Sequence, residues 1–576
     1  MSLLHDPHNQ RNLPEYSFRH HDPRQGLSLR WNRLSRWILL ASFLLYLGVG
    51  VWLARGEGFM MGDSLSRVQS AQAVLYSRYP HLAAMGFVFT PLSTLAELPF
   101  VALSPLLPGM TKWGLAAVIV SAGFMAAAVQ QLWKITGDRG LSLPVAALMI
   151  LVFALHPMVV LYGASGMSEA PFCFAMLLST RRLIRWLSTD DVHDLVGGGV
   201  GLALAFLARY DALVVAAVAT LMVGLLSWRR SRPGRADFHP GYAVVDMIVF
   251  AAPLALAFLV WVASSWLATG DLLAQFTSAY GNTAIIDQSG GVASGVTALG
   301  DSLMRTWLQA PLLILLLPVV GWLSWRRRDP EPLIAPVLFG TVLAFQMLTA
   351  MMGGAFGFLR FFMVGAILVA VLLIQLAPPR GHLAARRTGR GFTPRHSSTP
   401  LPATLLILLS VLVFGGHAIT WQGMSSLRWA PQEYALAELF PGAESSPSEE
   451  AGRREILRTF STERRLAQHL DSLDLEDGEV LTDTTFAFAV LTASENPKQF
   501  TVPSDSDFII RLEEPAVTQV RYILTVAPEG RGANDPVNRR YPSIYADGAD
   551  LATLELEIPN EGSGQPDYRL YRVMEP

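Results

Sequence analysis

A single cysteine, Cys173, occurs in 576 residues, so no intrachain disulfide can form and a metal centre built on thiolates is excluded. Charge is scarce too. Asp, Glu, Lys and Arg together make up 16% of the chain, where a soluble protein carries roughly 25%. No nucleotide-binding glycine pattern and no internal repeat is evident, and nothing points to a nucleic-acid partner. What fills the sequence instead is apolar: 51% hydrophobic residues and a mean hydropathy of +0.36. Apolar runs of about 20 residues, the length that crosses a bilayer core as a helix, recur through the first 421 residues. The chain reads as an all-α polytopic membrane protein followed by a soluble domain.

The net charge of -2 says little, because the distribution carries the information. Basic residues cluster in RWNRLSR, RRLIR, WRRSRPGR, WRRRDP and RGHLAARRTGRGFTPR. Such loops stay in the cytoplasm. The first 26 residues are too polar and too long to be a cleaved signal peptide, and residues 1–35 read as a disordered cytoplasmic tail. Arg36 to Ala54 then runs outward and leaves a first external loop over 55–112. Within that loop, Phe89 to Leu107 carries Pro91, Pro99, Pro105 and Glu97, and is expected to be interfacial or re-entrant. Further spans are expected over 113–134, 143–162, 168–187, twice within 195–228, and over 243–268, 306–325, 332–352, 356–377 and 403–421. That makes about eleven transmembrane helices, with residues 36–421 as the membrane domain.

Residues 422–576 change character. They are richer in Asp, Glu, Ser and Pro, and GEVLTDTTF, KQFTVPSD, VRYILTV and YRLYRVM alternate as strands do. A helix is expected over Glu455 to Leu473. This is a small α/β domain, placed outside the membrane by the topology.

Ionisable residues in or beside membrane segments are costly unless paired or wetted, so each is a functional candidate. Asp63, Glu169, Arg209, Asp211 and Arg360 all fall at external helix ends or loops, with Arg67, Tyr79 and His81 close in sequence. Each also has a plain structural role open to it. Asp63 could cap a helix, Arg67 could pair with Asp63, and Glu169 could complement a helix dipole. Arg209 and Asp211 could close a turn, and Arg360 could snorkel to headgroups. Arg181, Arg182, Arg185, Arg229 and Arg230 read as topological signals alone, and Asp246 as structural. Taken jointly, acids and arginines from four segments converge on one face. A carboxylate such as Asp63 suits the removal of an acceptor proton, and a guanidinium such as Arg360 or Arg209 suits a departing phosphate. A sugar donor outside the cell cannot be a nucleotide, so a polyprenyl-phosphate sugar fits.

The order of these pieces resembles the GT-C superfamily of membrane glycosyltransferases, which includes protein O-mannosyltransferases and the lipid A aminoarabinose transferase. The pieces are Asp63, Tyr79-Pro80-His81-Leu82, Thr90-Pro91-Leu92, HPMVVLYGASGMSEAPF around Glu169, ARYDALVV around Arg209, WLATGDLLAQFTSAYGN and FLRFF around Arg360. The resemblance covers residues 36 to about 377. It implies that Asp63 is the base of an inverting transfer and that the first loop carries helices lying along the membrane. It departs from the pattern in having a lone Asp63 between Gly62 and Ser64, and His81 where a second proline is usual.

The expected function is therefore an inverting glycosyltransferase moving a sugar from a polyprenyl-phosphate donor to an acceptor hydroxyl on a glycan, glycolipid or protein. Asp63 and Glu169 are the expected catalytic residues; Arg67, Tyr79, His81, Arg209, Asp211 and Arg360 are the expected substrate-binding residues. A divalent metal held by Asp63, His81 and Glu169 is a further option. The expected location is the plasma (inner) membrane, with the active site and C-terminal domain extracytoplasmic. A multi-pass transporter or lipid flippase is the alternative, though such proteins gather their polar groups at the bilayer midplane in repeated halves. A scaffold would need far fewer spans.

Overall fold

In the computed structural model of the chain, the described residues are 23–230, 241–277, 286, 292–377, 403–439 and 447–574. Most of the expected N-terminal tail and the basic loop after Pro378 lie outside them.

Helix α1 (Pro23–Val51) is followed by two shorter helices, α2 (Gly62–Tyr76) and α3 (Leu92–Val101). The bundle continues with α4 (Leu115–Arg139), α5 (Leu143–Ala154), α6 (Pro157–Ala164), α7 (Glu169–Thr189), α8 (Val192–Ala208), α9 (Ala212–Arg230) and α10 (Gly241–Thr269). It closes with α11 (Gly295–Gln309), α12 (Leu313–Arg327), α13 (Ile334–Met351), α14 (Val364–Leu376), α15 (Ala403–Gly415) and α16 (His417–Met424). Every residue of α14 is buried. A helix apolar on all sides belongs at the centre of a bundle, and α13, α12 and α5 pack around it.

Among the described residues, seven helical stretches are long and apolar enough to cross a membrane, and two bent pairs raise the number to nine. The remaining two of the eleven expected spans are α7 and α8. The first carries Glu169, Arg181, Arg182 and Arg185, and the second has only 17 residues. The bends were not expected. Helices α5 and α6 meet at 65°, and α11 and α12 at 80°. His156 and Ala310 each precede a proline, Pro157 and Pro311, whose ring pushes the preceding residue out of the α region, and both have left it. Helix α3, at 10 residues, spans about 15 Å, half the hydrocarbon thickness, in keeping with an interfacial or re-entrant segment.

The end of the bundle that carries the basic clusters is tied by ion pairs. Arg139 pairs with Glu331 in a fully buried contact and donates to the carbonyls of Ala377 and Gln375. Arg181 binds Asp138 at 2.7 Å, while Arg182 and Arg185 both reach Asp194. These three arginines, expected only as topological signals, are therefore structural partners as well.

The C-terminal part is an α/β domain. Its sheet has strand order β2-β1-β3-β5-β4, from β1 (Val480–Leu481), β2 (Phe500–Thr501), β3 (Tyr522–Val526), β4 (Ala552–Ile558) and β5 (Tyr568–Val573). Strands β2, β1 and β3 run parallel, and β5 and β4 are antiparallel additions. Four strands fall where expected, and β4 is an addition. The expected strand over 478–486 ends early because Asp483 accepts from the Thr485 amide and starts α19 (Thr484–Ala493). The single helix expected over 455–473 is two, α17 (Pro447–Leu457) and α18 (Ser461–Asp471).

The two parts do not divide at residue 422. Ala430 and Leu436 belong to the bundle core, with Trp429 and Leu439 packed against it. The chain leaves α16 and turns back into the bundle before entering the C-terminal domain.

Candidate active site

Helix α2 begins at Gly62, with Met61 as an N-cap that makes no side-chain bond. Asp63 is thus in the first turn, where the helix dipole favours a carboxylate, and it is not the cap. Its side chain is 41% exposed. The start of α2 is fixed by Gly166 in the loop before α7. That glycine has φ +77°, and a Cβ there would lie 2.1 Å from Ser64 Oγ and 2.6 Å from Ala117 Cβ. Only glycine lets the α2 terminus and the approach to Glu169 come this close.

Arg360 lies in the turn Leu359–Phe362 that leads into α14. It is 7% exposed, flanked by the rings of Phe358 and Phe361, and its Nη2 donates to Asp63 Oδ2 at 3.0 Å. Its Nε is 3.5 Å from Glu169 Oε1. Glu169, at the start of α7 and nearly buried, accepts from Arg209 Nη1 at 2.7 Å. Arg209, the extended C-cap of α8, binds Asp211 through Nε at 2.9 Å and lies over the ring of Phe361. Its position is secured by Thr90, whose hydroxyl donates to the Ala208 carbonyl at 2.7 Å. Asp63, Arg360, Glu169, Arg209 and Asp211 therefore form one alternating array, from four helix ends, buried at Arg360 and half open at Asp63.

Arg67 sits one turn beyond Asp63, on the Phe89 ring, and donates to the Asp63 backbone carbonyl at 3.0 Å. Burial lowers its affinity for a proton, and the charges of Asp63, Glu169 and Glu97 oppose that effect. Tyr79 and His81 are placed elsewhere. Both are exposed; the His81 ring nitrogen Nδ1 is 2.6 Å from the Tyr79 carbonyl, and Tyr79 lies beside Arg78. They do not join the array, because Arg78, just before Tyr79, anchors this loop to the C-terminal domain. Arg78 binds Asp507 at 2.7 Å and Asp505 at 3.4 Å, so the loop faces that domain instead. Among the described residues no three His, Cys, Asp or Glu side chains converge as a metal-ligand group, and Asp63, His81 and Glu169 are not brought together.

Two buried acids and a tyrosine beside the array were not anticipated as site residues. Glu433, from the returning segment after α16, is fully buried and accepts a hydrogen bond from the Tyr162 hydroxyl on α6. Burial raises the Glu433 pKa, opposed by the Tyr162 hydrogen bond and the charge of Arg360. Glu97 on α3 is also fully buried, and burial pushes its carboxyl well above the usual carboxylate range, with Arg67 opposing. The signal for Glu433 was the aromatic and apolar company it keeps in WAPQEYALAEL.

No family model matches the sequence, and no curated protein matches it. Similar solved structures do exist. ArnT from Cupriavidus metallidurans, bound to undecaprenyl phosphate, is 11% identical with a TM-score of 0.48, covering 94% of this chain and 98% of that one. The archaeal oligosaccharyltransferase AglB from Archaeoglobus fulgidus, in complex with an inhibitory peptide and a dolichol-phosphate, is 11% identical with a TM-score of 0.40, covering 85% and 69%. The protein O-mannosyltransferase Pmt1-Pmt2 complex of S. cerevisiae, bound to the sugar donor, is 12% identical with a TM-score of 0.33 over 43% of this chain, and the match spans only 35% of that chain.

Proposed function

We propose that the chain is an inverting glycosyltransferase that moves a sugar from a polyprenyl-phosphate donor to an acceptor hydroxyl at the outer face of the plasma membrane. The observation that carries this reading is the contrast within one ion pair. Asp63 is half exposed, whereas Arg360 is buried and held from behind by Glu169, which Arg209 holds in turn. A fixed cation beside an accessible carboxylate is the arrangement that a phosphate leaving group and a proton-donating acceptor require.

In this mechanism the acceptor oxygen attacks the anomeric carbon and its proton passes to the Asp63 carboxylate. The bond from that carbon to the donor phosphate oxygen breaks, and polyprenyl phosphate leaves. A single displacement inverts the anomeric centre. Arg360 offers the leaving phosphate a charge it cannot lose, while Glu169, Arg209 and Asp211 keep the guanidinium oriented. Glu169 is a positioning residue in this scheme, since it lies behind Arg360 and away from the open side. The charged groups are drawn from helix ends, so one face of the bundle carries the chemistry, unlike the midplane site of a transporter.

The test compares Asp63→Asn with the wild-type chain in membranes supplied with a radiolabelled polyprenyl-phosphate sugar. Loss of the base is expected to lower transfer by roughly 10²- to 10⁴-fold. The half-exposed pair contributes at most about 1 kcal/mol to stability, so the variant should fold as the wild type does. Transfer that continues unchanged in a folded Asp63→Asn chain removes Asp63 from the mechanism.

A further inference from the structure

A second polar site lies apart from the Asp63 array. Between the first loop and the C-terminal domain is a cleft of about 840 Å³. Its walls hold Arg55, Lys112, Arg458, Arg464 and Arg465, with Glu561 the one carboxylate among the lining side chains. Glu561 is engaged by Arg465 at 2.9 Å. The remaining four cations have no acid opposite them within the cleft lining. Arg464 is fixed, its guanidinium 4.4 Å from the Trp113 ring centre and its Nη1 buried with no hydrogen-bond acceptor.

The other half of the lining is apolar. Leu106 and Leu107 project from the loop after α3, and Leu106 is 81% exposed. Arg55 closes the candidate span Trp31–Gly56, so the cleft opens where a helix leaves the bilayer. Cations and exposed leucines meet at that level. A soluble anion would use the first and have no use for the second. An amphiphile with an anionic head and acyl tails uses both.

We infer that this cleft binds the phosphate-bearing headgroup of a lipid in the leaflet on the site's side of the membrane. Guanidinium groups grip phosphate oxygens in pairs, and Lys112 adds a point charge. The Leu106–Leu107 edge meets the start of the acyl chains. Trp113 forms the inner wall of the cleft and also lines a small cavity next to Ser64, so the headgroup lies one indole ring from the start of α2. The inference stands whether or not sugar transfer is the reaction.

The full chain, purified in zwitterionic detergent and offered equal amounts of phosphatidylglycerol and phosphatidylcholine, is examined by native mass spectrometry for retained lipid. Phosphatidylglycerol should be retained preferentially. The variant carrying Arg55→Gln, Lys112→Gln and Arg458→Gln removes three exposed or half-exposed cations without opening the core. At about fivefold per surface cation, retention should weaken on the order of 100-fold at low salt. Asp63→Asn, which disables the proposed transfer site, should retain the phospholipid as the wild type does, so the two readings fail separately. Equal retention of the two lipids overturns the inference, as does undiminished retention by the triple variant. Binding of inorganic pyrophosphate to the cleft with no lipid retention also overturns it, and assigns the cations to a soluble phosphate.

Discussion

Removing the Arg360 guanidinium is the most informative perturbation of the array, and Arg360→Met keeps its length while deleting its charge. Two carboxylates lose a cation. Asp63, 3.0 Å away and 41% exposed, is repaid by water, so that contact counts for at most about 1 kcal/mol. Glu169, nearly buried and 3.5 Å from the guanidinium, gains no such relief. Stripping a buried acid of its partner destabilises by about 3–5 kcal/mol when nothing replaces it. Arg209 still binds Glu169 at 2.7 Å, which places the expected loss at the lower end, about 3 kcal/mol. Arg360→Lys should recover part of the stability through its charge but little of the transfer, because an ammonium cannot hold Asp63 and Glu169 in one planar fork. Unfolding of the purified variants in mixed micelles gives the stability, and transfer from a radiolabelled donor gives the activity. In a double-mutant cycle with Glu169→Gln, the coupling should fall between about 0.5 and 3 kcal/mol. An Arg360→Met chain as stable and as active as wild type, with no coupling to Glu169, refutes the account of the array.

Other outcomes follow from the same geometry. Gly166→Ala forces a Cβ against Ser64 and Ala117 at a positive φ, and should cut transfer while costing roughly 1–3 kcal/mol, with activity and melting measured together. Arg78→Met unties Asp505 and Asp507 from the first loop, and should raise hydrogen exchange in α2 and in residues 500–507. Asp535 provides a pH test. Burial, reinforced by the charge of Asp483, lifts its pKa from 3.8 to about 8. Its folded form therefore holds a proton that the unfolded chain releases, so its contribution to stability is full below pH 4 and is lost as the pH rises towards 8. Hydrogen-exchange protection of the C-terminal domain within the full chain, taken relative to the intrinsic exchange rate at each pH, should be greater at pH 5 than at pH 8, and Asp535→Asn should flatten that difference.

The sequence disclosed some of this and hid the rest for identifiable reasons. Helix-length apolar runs marked the seven long helices and the two bent pairs, because crossing a bilayer demands length and apolarity that few other structures require. Asp63, Glu169, Arg209, Asp211 and Arg360 stood out as charges at the ends of such runs, and they meet. Tyr79 and His81 were drawn in by sequence proximity to Asp63 and by the Tyr79-Pro80-His81-Leu82 stretch of the resemblance. The docking of Arg78 turns that loop away, and such a contact between residues over 400 positions apart leaves no local trace. Glu433 escaped notice because it lies beyond the last apolar run, in the part read as the soluble domain, where an acid looks like surface. Strand β4 was passed over although Leu554 and Leu556 alternate with Glu555 and Glu557, since it is an edge strand with a largely exposed pattern. The bends at Pro157 and Pro311 depend on a single ring each and do not alter hydropathy.

The excursion of Trp429 to Leu439 back into the bundle fixes where this protein can be cut and rejoined. A splice placed just past the final apolar run, at residue 422, would strip the helices of a plug that completes their interior and deprive the Tyr162 hydroxyl of its acceptor. Grafting a foreign C-terminal module onto these helices therefore requires a junction beyond Leu439. Conversely, a lone C-terminal module should begin no earlier than Pro447 if it is to avoid carrying a greasy, acid-bearing tail.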